Sequence, residues 1–478
     1  MTDVNHYKSS LSSRYASKEM SFLFSSSFKH QTWRKLWVAL AKSQKKLGLP
    51  ITDKQIEAMQ KAASSIDFSK AEEYEKKFRH DVVAHIHTFA DAAPESRGII
   101  HMGATSCYVT DNTDILQMRE GLHLLHAKLV QVLRNLSEFA KKHSSLATLS
   151  YTHLQAAQPT TVGKRACMWL QDFFLDLKHL ENETKEIKFL GMKGATGTQS
   201  SLMQLFHGDH EKVKKLEHLI CEEMGFSKVI PISGQTYTRK QDMAVFYVLH
   251  AVAISCHKFA SDLRLLAHLK EIEEASSPDQ IGSSAMPHKR NPMKSERVCG
   301  IARFLISLAE NPAYTSATQW LERSLDDSSN RRISIPEAFL SADAILNLVI
   351  DITKNLIIYP KMIEKNLKEE LPFLASENIL MAAVAQGKDR QKIHSLLHSH
   401  AQDAAQEMKE KGSSCTLLDK IIADKNIGLS QKDIEKIVRV ENFIGRAKEQ
   451  TEEFLKEEIE PYLQKTQHIQ FAHSPIEI

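Results

Sequence analysis

Apolar positions along this chain recur at alternating spacings of three and four far more often than at spacings of two. The sharpest case runs from Asp114 to Ala140, where Ile115, Met118, Leu122, Leu125, Leu129, Val132 and Leu136 form a heptad seam held for three repeats. At 1.5 Å per residue this predicts a helix roughly 40 Å long, with Thr113 or Asp111 placed to cap its start. A seam of that length needs partner helices, in the same chain or in another copy, and its leucines carry no chemistry. Further long helices are predicted over 69–91, 163–189, 209–225, 239–272, 292–309, 335–357 and 432–457. Polar or glycine-bearing breaks separate them at 92–113, 145–160, 190–201, 226–238, 274–291 and 311–332. Glycine is scarce, 17 of 478 residues, and strand-like alternation is hard to find. The expected fold is all-α, in three helical domains: an N-terminal domain over 1–111, a central bundle of long helices over 112–358, and a smaller C-terminal domain over 359–478.

Composition narrows the function without naming it. Apolar residues make up 42% and charged residues 25% of the chain, as in soluble globular proteins. The net charge of +3 provides no one-sided field, which argues against nucleic acid or a membrane surface as the main partner. It leaves room for a local basic pocket that takes an anionic small molecule. The longest nearly apolar run, MAVFYVLHAVAI at 243–254, is too short to span a bilayer and reads as a buried helix. The opening MTDVNHYKSS lacks the apolar core of a secretory signal. Six scattered cysteines without a CxxC pair fit buried thiols of a reduced, cytoplasmic protein rather than a disulfide or zinc framework.

The chemistry sits in the breaks. The glycines of GMKGATGTQ (191–199) lack the GK[ST] ending of a phosphate loop, so a flexible loop carrying backbone amides toward a ligand is the better reading. His80, His85 and His87 lack the i, i+4 spacing of a helical metal pair; His394 and His398 have it, but in a run polar enough to be a solvated face. No metal and no cofactor is expected. GSSAMPHKRNP (282–292) is different. Gly282 permits unusual backbone angles, the serines can aim amides at an anion, and Lys289 and Arg290 add fixed positive charge. A serine among such donors could abstract a proton or attack as a nucleophile, and spacing does not say which.

With GATSCYVTDN (103–112) and THLQAAQPTT (152–161) before it in the chain, that loop resembles the three conserved regions of the fumarase/aspartase superfamily, in the expected order. Within it, Arg14-Tyr15, RHD (79–81), ERSLDDSSNRR (322–332) and ELPFLASENI (370–379) are similar to the adenylosuccinate lyases. The resemblance implies a C–N lyase that eliminates fumarate from adenylosuccinate, giving AMP, and from the succinylated aminoimidazole carboxamide ribotide (SAICAR), giving AICAR. It implies an active site shared among subunits of a homotetramer, and a mobile loop over 276–288. The rival readings are another fumarate-forming lyase, such as an argininosuccinate lyase, or a helical scaffold that kept the fold and lost the activity.

The same resemblance implies the roles. Ser283 is the base, with its neighbour Ser284 not separable from it by the residues alone. Lys289 and Asn291 hold the succinyl carboxylates, His153 is the acid and Glu296 its carboxylate partner, and His80 supports near the leaving group. Thr105, Ser106, Thr152 and Gln235 are substrate contacts, as are Arg79 and Asp81 of the RHD run. Arg14, Tyr15, Arg297, Arg323, Ser328 and Arg332 suit a nucleotide phosphate and nearby polar atoms. Removing a carbon-bound proton beside a carboxylate piles negative charge onto that carboxylate. The reaction therefore needs a placed base, donors around the developing dianion, and an acid for the leaving nitrogen.

Overall fold

The computed structural model describes residues 5–276, 285–286 and 288–469. Five long helices carry its main core: Ser106–Lys142, Val162–Glu186, Lys240–His268, Met293–Leu308 and Asp326–Lys354. The all-α expectation holds; among the described residues the strands amount to two antiparallel pairs. All seven predicted seam residues of Ser106–Lys142, from Ile115 to Leu136, are completely buried. Each such side chain contributes about 1.5–3 kcal/mol of burial.

Cross-links along the bundle set the helix directions. Asp114 pairs with Arg331, Lys128 with Asp343, and Asn135 donates to the Ile350 carbonyl, so Ser106–Lys142 and Asp326–Lys354 run parallel. Met293–Leu308 runs the other way, since Lys294 at its start meets Asp351 near the end of Asp326–Lys354. Asp326–Lys354 and Lys240–His268 are long and apolar enough to cross a membrane by length and composition. The former is almost wholly enclosed by its neighbours. The latter leaves Tyr247, Ile254 and Leu265 exposed on one side.

Several boundaries differ from the sequence expectation, each for a physical reason. The seam helix starts at Ser106 rather than near Asp114 and spans 37 residues, about 55 Å. Its first two turns are polar yet helical because tertiary partners satisfy them. Asn112, for instance, donates to the Gly191 carbonyl and accepts from the Leu190 amide, 2.9 Å each. The stretch predicted as one helix over 69–91 is two, Phe68–Phe78 and Asp81–Ala92. Arg79 turns left-handed (φ +55°) between them and the His80 side chain caps the second. Asp326 and Asp327 place negative charge in the first turn of Asp326–Lys354, extending helix into the predicted break at 311–332. The stretch 432–457 divides into Gln431–Ile437 and Ala447–Phe454. The break at 145–160 holds a hairpin, Ala147–Thr152 paired with Gln155–Thr161.

Apolar packing forms two clusters. The larger one runs from Leu11 to Leu367 and takes in Leu455 and Ile459 near the end of the chain. The smaller lies within Ala375–Ile434.

Candidate functional site

The structure gathers one set of the predicted residues at the N-terminal end of the seam helix. His80 is held by the cap it makes: the Val83 amide donates to its Nδ1 at 3.4 Å. Its Nε2 faces the Ser106 hydroxyl at 3.4 Å. Asp81 accepts from the Val82 amide at 2.8 Å and from Arg332 at 2.7 Å. Burial alone would raise the Asp81 carboxyl, but the Arg332 guanidinium and the amide hold it below its usual range. Arg79 is exposed beside them, and Thr105 is the residue before the seam helix, with no side-chain cap bond. Ser328 and Arg332 lie one turn apart on Asp326–Lys354.

Three backbones press together to place Gln235. A Cβ on Gly197 would lie 1.9 Å from the Ser233 carbonyl, and one on Gly234 would lie 2.5 Å from the Glu322 carbonyl. Only glycine allows that approach. Gln235 then donates to the Ala195 carbonyl, accepts from the Cys107 thiol, and its amide meets Glu322. The glycine loop at 191–199 thus serves the segment that carries Gln235. Arg323 completes the group, donating to Cys107 Sγ at 3.2 Å. Burial, reinforced by Asp111, pushes the Cys107 thiol up to about 12, so it stays neutral.

Beneath this group lies a buried ion network that the sequence reading did not single out. Arg239 bridges Asp111 and Asp327, while Arg331 bridges Asp114 and Asp242, and both guanidiniums stand over the Tyr237 ring. Burial by itself would lower Arg331, yet the surrounding Asp242, Tyr237, Asp114 and Asp111 raise it well above normal. Both arginines therefore stay charged. The only signal in the sequence was that arginines and aspartates cluster in the same breaks as the hydroxyl residues.

The remaining candidates lie elsewhere. Tyr15 sits beneath two guanidiniums, Arg14 and Arg297, each 5.9 Å from its ring. Glu296 is exposed in the first turn of Met293–Leu308, just after Asn291, and Lys289 is exposed before it. Gly282, Ser283 and Ser284, with most of the loop expected to be mobile, lie outside the described residues. The neck of that segment is built: the Glu274 carboxylate accepts from the Lys294 and Ser295 amides, at 2.8 and 2.9 Å, and from the Ser295 hydroxyl. Thr152 and His153 sit at the hairpin tip, His153 and Leu154 both left-handed (φ +54° and +58°). His153 is exposed, without a hydrogen-bond or ion-pair partner among the described residues. Of the histidines set aside, His85 stacks on His30 in the interior and His87 on Phe78. Among the described residues no three metal-ligating side chains converge.

Helix length measures how far apart these groups are. The hairpin leaves the C-terminal end of the seam helix, where the Gly163 and Val162 amides bond to the His143 and Leu146 carbonyls. Ser106 is at the other end, about 55 Å away. A six-residue strand folded straight back would recover only about 20 Å of that. The loop neck is also distant, because Arg332 and Asp351 stand 19 residues apart on one helix, about 29 Å. One chain therefore cannot bring His153, or the loop neck, to His80.

Comparison with known proteins covers nearly the whole chain. A family model described as Lyase matches residues 13–306, and one described as Adenylosuccinate lyase C-terminus matches residues 372–454. The chain is 46% identical to an adenylosuccinate lyase of Saccharomyces cerevisiae over 98% of each chain, and 46% identical to that of Schistosoma mansoni over 96% of each. Among solved structures it resembles a 3-carboxy-cis,cis-muconate lactonizing enzyme of Pseudomonas putida (TM-score 0.81, 21% identity, 96% of this chain and 99% of that one). A fumarate lyase of Mesorhizobium sp. BNC1 is similar to the same degree (TM-score 0.80, 22% identity, 95% of this chain and 100% of that one). At such identities these two structures speak for the fold alone.

Proposed function

The chain belongs to the adenylosuccinate lyase family, and from that premise we propose that it eliminates fumarate from adenylosuccinate, giving AMP, and from SAICAR, giving AICAR. The observation that carries this reading is the full-length likeness to adenylosuccinate lyases. The side-chain chemistry of the candidate residues agrees with it. The set at the start of the seam helix offers Arg323, Arg332, Ser328, Gln235 and Ser106 to a nucleotide. Lys289 and Asn291 supply a cation and an amide for the succinyl carboxylates. Ser283 takes the carbon-bound proton, and the exposed His153 gives one to the leaving nitrogen, with Glu296 as its carboxylate partner.

On this reading a complete site needs more than one copy, because His153 and His80 cannot meet within a chain. Exposed apolar residues on the bundle give copies a surface to share. Met168 and Leu175 lie seven apart on one helix, and Tyr247 and Ile254 seven apart on another, the spacing of a helical seam. A homotetramer working in the cytoplasm fits this surface and the nucleotide substrate.

Two assays test the proposal. Ultraviolet absorbance with adenylosuccinate, followed by argininosuccinate, separates the readings: loss of adenylosuccinate with fumarate release supports it, and turnover of argininosuccinate alone overturns it. Mixed assemblies of His153→Ala and Ser283→Ala chains test the sharing. They should regain activity that neither variant has, and no recovery in verified mixed assemblies would rule sharing out.

A further inference from the structure

Asp327 stands between the buried network and the exposed group. Its side chain is 1% exposed, and one oxygen, Oδ2, takes two donors from Arg239: Nε at 2.9 Å and Nη2 at 2.6 Å. The other oxygen, Oδ1, is buried without a hydrogen-bond partner. A buried carboxylate oxygen is rarely left so. What faces it is Arg323 Nη2, at 3.8 Å, beyond hydrogen-bond range. The far end of that guanidinium rests on the Cys107 thiol, a neutral and weak acceptor. Arg323 is thus held loosely at one end and drawn by an unsatisfied carboxylate at the other.

We propose that Asp327 is a positioning residue for Arg323, its free oxygen closing on the guanidinium when an anionic nucleotide occupies the site. Arg239 ties that carboxylate to Asp111, and so to the seam helix, which fixes the line along which Arg323 is aimed. Asp327 touches no substrate; it acts through Arg323. This role rests on the reading of Arg323 as a nucleotide ligand.

The test is a double-mutant cycle in the full-length enzyme, reading KM and kcat for adenylosuccinate. Asp327→Asn should raise KM about tenfold and leave kcat within about twofold, and Arg323→Ala should raise KM at least as much. In the Arg323→Ala background, Asp327→Asn should then add nothing to KM, since the guanidinium it positions is gone. Effects on KM that multiply would overturn the role of Asp327 while keeping Arg323 as a ligand. An Arg323→Ala enzyme with unchanged KM would overturn the binding reading and the proposal together. Should Asp327→Asn not fold, a crystal structure of the unaltered enzyme with AMP decides: Arg323 Nη2 within about 3.2 Å of Asp327 Oδ1 supports the proposal, and a gap as wide as in the free chain sinks it.

Discussion

The two ends of the seam helix present their chemistry in opposite ways. At its start, His80 meets Ser106, Gln235 and Arg323 both meet Cys107, and the group rests on the Arg239–Arg331 network. Beyond its other end, His153 stands on a two-residue turn with both residues left-handed and exposed, and it has no hydrogen-bond or ion-pair partner among the described residues. The first end is assembled by the chain's own packing. The second presents its side chains to solvent, as the proposed site divided among copies requires.

Replacing groups at each end should separate stability from activity. The largest effect expected is on rate: His153→Ala should lower kcat by about 10²–10⁴-fold, the usual worth of a placed acid, with the unfolding midpoint almost unchanged. A marked loss of stability would show that the hairpin tip is part of the chain's own packing after all. Arg331→Met makes the opposite case. It leaves Asp242 buried, and Asp114 half-buried, without their cation, and breaking a buried pair costs about 3–5 kcal/mol. Urea unfolding followed by circular dichroism measures that loss, and a midpoint equal to that of the unaltered chain would contradict the network's structural role.

Acid should weaken the assembled end as well. Burial pushes His85 and His101 from 6.5 down to about 4, and His30 to about 3. The unfolded chain takes up protons near 6.5 that the folded chain refuses, so stability is complete above pH 6.5 and falls as the pH drops toward 4. For His85, 5% exposed, this amounts to about 3 kcal/mol at 1.4 kcal/mol per pH unit. Urea midpoints that stay level between pH 7 and 4.5 would refute it. The smallest effect belongs to the hairpin. Leu154→Gly removes a left-handed strain of about 1 kcal/mol and should raise the midpoint slightly, whereas a fall would mean that the Leu154 side chain is packed against something.

Periodicity made the seam helix legible because leucines at spacings of three and four have few other uses. Its first two turns were not legible. Asp111, Asn112 and Thr113 favour caps and turns in isolation, and are helical only because Arg239 and the 190–191 backbone meet them. The same long-range pairing hid the buried network, since a lone arginine in a polar stretch reads as surface. His80, Ser106, Gln235, Arg323 and Arg332 were found through motif resemblance, and the structure brings these five into one group. Their separation from His153 follows from the long helix predicted between 106 and 153, which is longer still in the structure. The length of that 37-residue helix keeps them apart.

The Glu274 clasp on Ser295 has a consequence in polymer terms. It pins the two feet of the segment that holds Ser283 and Lys289, making a ring of about 20 residues whose closure entropy is already met at its base. Because that cost grows only as (3/2)RT ln n, two inserted residues would add about 0.1 kcal/mol. Length changes between these two feet are therefore nearly free for folding.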